Sequence, residues 1–502
     1  MCNFFCIFVP YLETVMLSQQ KSLPLSAYAD LYDIVVPKDH QLRLINDMID
    51  FSFVYNELVS KYVLDKGRRA EDPIRLFKYL LLKVIYDLSD EDVVAHSRYD
   101  MSYKYFLGMM PEEDVIHSST LTKFRKLRLK DVELLDMLIG KTVEIAIEKG
   151  IIKSNTIIVD ATHSGSRSNP YSPLQILKLR SKQLRRVLYE TKEDIKETLP
   201  VKNTDDDLEH ELTYTQALVD KVSEDKILAN IPKIQERLNI LLETLKDIQD
   251  HYTTSKDKDA RLGHKSCDSP FFGYKSHIAM TPERIITAAT VTSGEKGDGG
   301  QLPELVEKSR KNGIDVKTVI GDTAYSGDSN LKRAKEEDYK IIAKLNPCIS
   351  QGKRIEEEQW DFNKDAGMYV CPAGHMAVRR AKQGKKAHQN NQAYVYYFDV
   401  EKCKTCSLRE GCYKAGAKSK TYSVTIKTDS QTEQLAFQKT DEFKETLRTE
   451  RYKIEAKNAE LKNVLGYARA ESYGIESMRM QGAITMFAAN VKRIIRLMNE
   501  SK

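Results

Sequence analysis

Three acidic side chains stand in contexts that suit catalysis. Asp160 ends the apolar run Thr156-Ile157-Ile158-Val159, and Asp322 follows Val316-Lys317-Thr318-Val319-Ile320-Gly321. Glu455 lies in Arg451-Tyr452-Lys453-Ile454-Glu455, seven residues before Lys462. Short apolar runs predict buried strands, so the first two acids belong at strand ends and the third on a helix. Carboxylates so placed can converge on a pair of divalent cations. Oxygen donors suit Mg²⁺, which takes one or two carboxylates and leaves its other positions to water and phosphate. Two such ions can clamp the attacking and leaving oxygens of an in-line displacement at phosphorus. On the helix, offsets of four and seven put Arg451, Glu455 and Lys462 on nearly one face. Alone, that trio would read as an ion-pair set worth ~0.2–0.5 kcal/mol per pair. The two upstream acids make a catalytic helix with phosphate-binding cations the better reading. His163 and Tyr325 stand near the site and are further candidates for DNA contact.

The elements that must position these residues follow from pattern. Residues 18–149 read as mostly helical: Pro73 opens a helix with a wide apolar face, and Ser89 or Asp90 caps the next. In the segment from Ser118 to Arg128, Ser or Thr caps a short helix carrying Lys123, Arg125, Lys126 and Arg128 on its outer side. That helix could lie against DNA, with its hydroxyls and N-terminus on phosphate; the plainer reading is a solvated basic face. Gly150 stops the helix before the first catalytic strand. Beyond it, 173–197 is helical and basic at first, through Lys178, Arg180, Lys182, Arg185 and Arg186, and 202–211 reads as a charged turn region. A second helix over 232–250 has apolar positions stepping by three and four. We read 173–252 as a helical insertion folded back as a hairpin, made for packing, with dimerisation or DNA clamping as further uses. Two antiparallel strands, 273–280 and 285–291, are joined by Thr281-Pro282-Glu283-Arg284. A helix over 301–312 ends at Gly313, followed by the strand to Asp322, a helix near 329–337 and a strand over 340–344. The last helix, 482–497, turns Ile484, Phe487 and Val491 to a core and ends in Lys492, Arg493 and Arg496, which suit both the helix dipole and phosphate.

Four of the eight cysteines gather late, at Cys371, Cys403, Cys406 and Cys412. A C-x₂-C pair is one usual half of a tetrahedral structural zinc site. Cys371 and Cys412 supply the other half, and His375 could replace either. The alternative is four buried or free thiols in a small β module. No three-ligand set with an open position suggests catalytic zinc. Arg379, Arg380, Lys382, Lys385 and Lys386 make the module basic enough for contact with a DNA backbone.

Composition narrows the class. At 502 residues the chain exceeds one ordinary core, and three or so structural units are expected. Hydrophobic content of 41% with 30% charged residues describes a soluble globular protein. A net charge of only +5 leaves the nucleic-acid argument to local charge. No apolar run reaches the roughly 18–20 residues that span a bilayer. The apolar opening segment lacks a basic leader and a cleavage site. Met16 is the expected true start, with 1–17 a non-native or disordered extension. The scattered cysteines differ from a secreted disulfide scaffold and point to a reducing cytoplasm.

With these motifs assembled, the chain resembles a DDE-type insertion-sequence transposase with an RNase H-like catalytic domain. The sharpest piece is Arg451, Glu455 and Lys462; Val159-Asp160-Ala161-Thr162-His163 and Gly321-Asp322-Thr323-Ala324-Tyr325 also fit. Related members often carry Tyr three positions before that Arg, where this chain has Arg448. The resemblance selects an α/β fold, an RNase H-like mixed sheet flanked by helices, where the strand pattern alone allows other sheets. It implies a helical DNA-binding domain over 18–150 and a catalytic domain over 151–500, interrupted by a helical insertion (165–262) and a cysteine-rich β insertion (350–425). It implies Asp160, Asp322 and Glu455 as catalytic ligands for Mg²⁺ or Mn²⁺, and Arg451, Lys462, Lys123, Arg125 and Lys126 on DNA. The expected reaction is strand cleavage at the terminal repeats of a mobile element and transfer into target double-stranded DNA. A homodimer or larger assembly on DNA is expected, in a bacterial cytoplasm at the nucleoid. Two rivals share the residues: a nuclease of this fold that only cuts, and a non-catalytic zinc-containing DNA-binding protein.

Overall fold

The computed structural model describes residues 26–62, 70–168, 171–191, 193–205, 207–249, 255–266, 269–350, 360–383 and 392–500. The expected extension over 1–17 and the basic residues Lys385 and Lys386 lie outside the described residues.

The central sheet is mixed. Its strands are β1 (Thr156–Gly165), β2 (Arg261–Ser266), β3 (Ser269–Met280), β4 (Ile286–Ser293), β5 (Thr318–Ile320) and β6 (Lys340–Ile342). Strand β3 pairs antiparallel with β1, β2 and β4, whereas β5 runs parallel to both β1 and β6. An antiparallel trio, then the helix Leu302–Lys311, then parallel strands is the RNase H-like order. Strand β2 is an addition that the sequence reading passed over. The parallel pairing of β1 with β5 ends at Ile158 opposite Ile320. Asp160 and Asp322 each follow two residues later, where the two strands part. A crevice outside the carboxyl ends of parallel strands is where open α/β sheets bind ligands.

The last helix, Ile475–Glu500, holds the sheet to the N-terminal helices. Its Phe487 meets Phe51, Phe53 and Phe77 at ring separations of 6.5, 6.4 and 5.9 Å. The amide of buried Asn490 donates to Thr142 Oγ1 and to the Ile286 carbonyl, both at 2.8 Å, and its oxygen accepts from Ile286 N at 2.7 Å. A buried amide so satisfied fixes register as well as adding stability. One continuous apolar core therefore joins residues from Leu42 to Ile495. No helix among the described residues is long and apolar enough to cross a membrane.

Two smaller cores lie outside it. Helices Pro173–Thr191, Leu208–Glu224 and Pro232–Gln249 bury Leu184, Leu188, Leu218, Val222, Leu241 and Leu245 together. The expected hairpin is therefore a three-helix unit. The middle helix is capped by Asp207, whose side chain accepts from His210 N. Polar Glu211 and Thr215 sit fully buried in its inner stripe, which hides the apolar periodicity from the sequence. The cysteine segment forms a three-stranded sheet from Arg379–Gln383, Ala393–Phe398 and Lys420–Thr425, with Tyr396 and Phe398 packed near Trp360.

The basic helix Ser119–Leu127 differs in two details from expectation. Ser118 makes no side-chain cap; the His117 ring accepts from Ser119 N at 3.2 Å instead. Arg125 is ion-paired rather than free, its guanidinium forking onto Asp90 with Nη1 to Oδ1 at 3.0 Å. Lys123 and Lys126 remain exposed.

Candidate active site at the open end of the parallel strands

The helix Tyr452–Asn463 runs beside β1 at Asp160 and His163, and Arg451 joins it without a break to the helix Asp441–Glu450. Asp160 lies mid-strand rather than at the expected strand end, because pairing with β3 continues to Gly165. Arg451 Nη2 donates to Asp160 Oδ1 at 3.3 Å, and its Nη1 lies 3.9 Å from Glu455 Oε1. One guanidinium thus ties the first acid to the third. Asn458 Nδ2 donates to the other Asp160 oxygen at 2.9 Å. Glu455 keeps 70% of its side chain exposed, whereas the Asp160 side chain keeps 17%.

Asp322 is held by its own turn. Its carboxylate accepts from Ala324 N at 2.9 Å and caps the single turn Thr323–Ser326. Gly321 makes room for this: a Cβ there would fall 2.7 Å from the Tyr325 ring and 3.0 Å from Val159. Tyr325 is fully buried beside the acids, and its hydroxyl has no hydrogen-bond partner.

Burial pushes the Asp160 carboxyl up to about 6; Arg451 opposes this, and Asp322 and Asp298 add to it. Burial thus outweighs the Arg451 ion pair at a carboxylate that also has other carboxylates near it. His163 is pushed down to about 4 by burial, then by Lys462, Lys265 and Lys275. Its neutral ring nitrogen Nδ1 stands 3.3 Å from Lys462 Nζ, and the ring lies 4.9 Å from that of Phe271. Lys462 is pushed down to about 8 by burial and by Lys265, against the pull of Asp160.

The structure thus brings Asp160, Asp322, Arg451, Lys462, His163 and Tyr325 to one end of the sheet, with Glu455 at its open rim. Lys123, Arg125 and Lys126 belong to the separate N-terminal helix. Arg448, at the position where relatives often have Tyr, pairs with Glu445 at 2.8 Å on the exposed side. Asn458 was missed by sequence reasoning. It lies three residues after Glu455 and four before Lys462, so the stripe that marks those two also marks it.

In the cysteine module, Cys371, Cys403, Cys406 and Cys412 line one cavity of about 70 Å³ together with His375. Backbone N–H groups of His375 and Leu408 point to the sulfurs of Cys371 and Cys406 at 3.4 and 3.3 Å. The Cys403 thiol is pushed up by burial first, then by Cys412, Cys371 and Cys406. Among the described residues, no three His, Cys, Asp or Glu side chains are gathered tightly enough to hold a metal ion as they stand. This applies to the thiols and to the acids alike.

Two families match the sequence. Residues 30–127 match one described as a transposase domain, and residues 370–495 match a transposase DDE domain. The second match contains Arg451, Glu455 and Lys462, whereas Asp160 and Asp322 fall between the two. No curated protein matches the chain. Among solved structures, a piggyBac transposase synaptic complex with hairpin DNA aligns over 92% of this chain and 75% of its own at 10% identity. Its TM-score of 0.30 gives that likeness no weight here. Two segments of the chain are thus similar to transposase domains, and the third acid lies inside the second.

Proposed function

We propose that this chain is a transposase that cleaves DNA at the ends of its element and joins the freed ends to target DNA, using Asp160, Asp322 and Glu455 with divalent cations. The observation that carries the reading is the convergence at Arg451. Through it, acids separated by nearly three hundred residues of sequence meet at the open end of the parallel strands.

The donor chemistry of these residues suits Mg²⁺ or Mn²⁺. The donors are carboxylate oxygens, and Asp160 is a buried carboxyl whose desolvation outweighs its Arg451 partner. Buried Asn458 Oδ1, a further oxygen donor beside it, has no hydrogen-bond partner. Asp160, Asp322 and Glu455 would be the residues that hold the ions. When bound, the ions would activate the attacking oxygen and neutralise charge on the leaving one.

The chain's own residues do the rest. Arg451 and Lys462 hold the phosphates flanking the scissile bond, Arg451 exchanging Asp160 for phosphate as the site fills. His163, neutral, accepts from the Lys462 ammonium and orients it. Asn458 fixes the Asp160 carboxylate in plane. Glu455 swings inward from its exposed rotamer to complete the set. Water and a terminal 3′-hydroxyl are equivalent nucleophiles in such a site, so one constellation serves cutting and joining.

Lys123 and Lys126 would contact the DNA backbone from the N-terminal helix. The four thiols would hold a structural zinc ion, with the N–H groups on Cys371 and Cys406 stabilising thiolate. DNA-dependent pairing of two copies would bring both element ends together.

The test uses paired terminal-repeat duplexes and a target plasmid with Mg²⁺. Cleaved ends and joined products are expected from the natural chain, and neither from Asp160→Asn, Asp322→Asn or Glu455→Gln. Cleavage without joining would favour the nuclease reading. Undiminished activity in the three variants would remove the acids from the chemistry.

A further inference from the structure

A fourth carboxylate faces the same site from a loop that carries none of the recognised motifs. Residues 294–301 connect β4 to the helix Leu302–Lys311. Gly299 in this loop lies so close to the Asp322 turn that a Cβ would stand 2.2 Å from the Ala324 carbonyl oxygen. Asn330 Nδ2 clamps the two together, donating to the carbonyls of Gly299 at 2.8 Å and Tyr325 at 3.1 Å. Asp298, the preceding residue, is thereby tied to the turn that holds Asp322.

Its carboxylate accepts from Lys275 Nζ at 2.9 Å and stands 3.7 Å from His277 Nδ1, a buried nitrogen with no hydrogen-bond partner. The second observation is Tyr325. Its phenol is 0% exposed, its hydroxyl is unpartnered, and burial first, then Asp160, Asp298 and Asp322, keep its proton in place. A buried hydroxyl among three carboxylates, bonded to none, belongs to a site whose filled state differs from its empty one. Lys275 supplies the local positive charge meanwhile.

We propose that Asp298 is a further acidic residue of the divalent-cation site, adding negative charge beside Asp160 and Asp322, with Lys275 standing in for the cation when the metal is away. This rests on the reading of Asp160 and Asp322 as metal ligands. Asp298 acts on the ion's affinity through charge, as a positioning residue. A partner of Lys275 alone would have no such effect.

The experiment is Mn²⁺ titration calorimetry on the full-length, DNA-free, metal-stripped protein, with thermal melts of each variant in chelator. The natural chain should bind Mn²⁺ and Asp160→Asn should lose that binding. Asp298→Asn should bind roughly tenfold more weakly, the order expected when one charge is removed near a divalent ion in a partly buried site. Lys275→Gln should bind more tightly, because the competing cation is gone. If Asp298→Asn matches the natural chain while Asp160→Asn does not, the inference fails and the metal reading stands. If Asp298→Asn and Lys275→Gln weaken binding and melting alike, the pair is structural and the inference also fails. If Asp160→Asn leaves Mn²⁺ binding intact, the metal reading itself falls.

Discussion

Asp160→Asn should stabilise the metal-free protein at neutral pH while removing its activity. The Asp160 carboxyl is pushed from 3.8 up to about 6, by burial first and then by Asp322 and Asp298, with Arg451 pulling the other way. A rise of about two units at ~1.4 kcal/mol each means that keeping Asp160 ionised costs the fold ~3 kcal/mol. The folded state binds this proton more tightly than the unfolded chain. Its stabilising contribution is therefore complete below pH 3.8 and lost as pH rises through about 6. At pH near 7.5 the cost is fully present. Asparagine carries no charge, and its oxygen can still accept from Asn458. Its NH₂ would face Arg451, however, which reduces the net gain to ~1–2 kcal/mol. Chemical denaturation in chelator, followed at pH near 7.5 and near 4.5, measures it. The variant should be the more stable protein at the higher pH, with the gap closing at the lower. A variant that is less stable at neutral pH, or a gap indifferent to pH, would refute the view of Asp160 as a buried charge awaiting a cation.

Four further outcomes follow from the geometry. Because Lys462 is pushed down to about 8, binding of a terminal-repeat duplex should weaken as pH rises through that value, and Lys462→Arg should flatten the profile in fluorescence anisotropy. Asn458→Leu removes the 2.9 Å bond to Asp160; it should cost ~1–3 kcal/mol at a buried carboxylate and slow single-turnover cleavage with the fold retained. Gly299→Val places a side chain within 2.2 Å of the Ala324 carbonyl, so a thermal melt should register a loss of ~1–3 kcal/mol as the loop is forced away. Cys406→Ser should lower the zinc content measured by atomic emission and leave the segment around it open to limited proteolysis, as should a strong chelator on the natural chain.

The local elements around the acids were legible because each is written in nearest-neighbour terms. Apolar runs before Asp160 and Asp322 are strands, and the Arg451, Glu455 and Lys462 stripe is a helix face. Sequence also marked Ser89 as a cap, whose hydroxyl accepts from Asp92 N, and Gly313 as a helix stop with φ of +92°. Such features depend on contacts within one turn or one strand, so the residue types alone determine them.

Tertiary structure decided everything that spans elements. That Arg125 meets Asp90, and that Arg451 bridges two acids, depends on which charges fold into reach. The middle helix of the insertion was hidden because its inner stripe buries Glu211 and Thr215, polar residues at core positions. Asp298 carries no signal of its own; it joins the site because Gly299 and Asn330 rivet its loop to the Asp322 turn. Periodicity is a property of neighbours along the chain. The electrostatic field at Asp160 is a sum over residues brought close by the fold, so no stretch of the chain taken alone contains it.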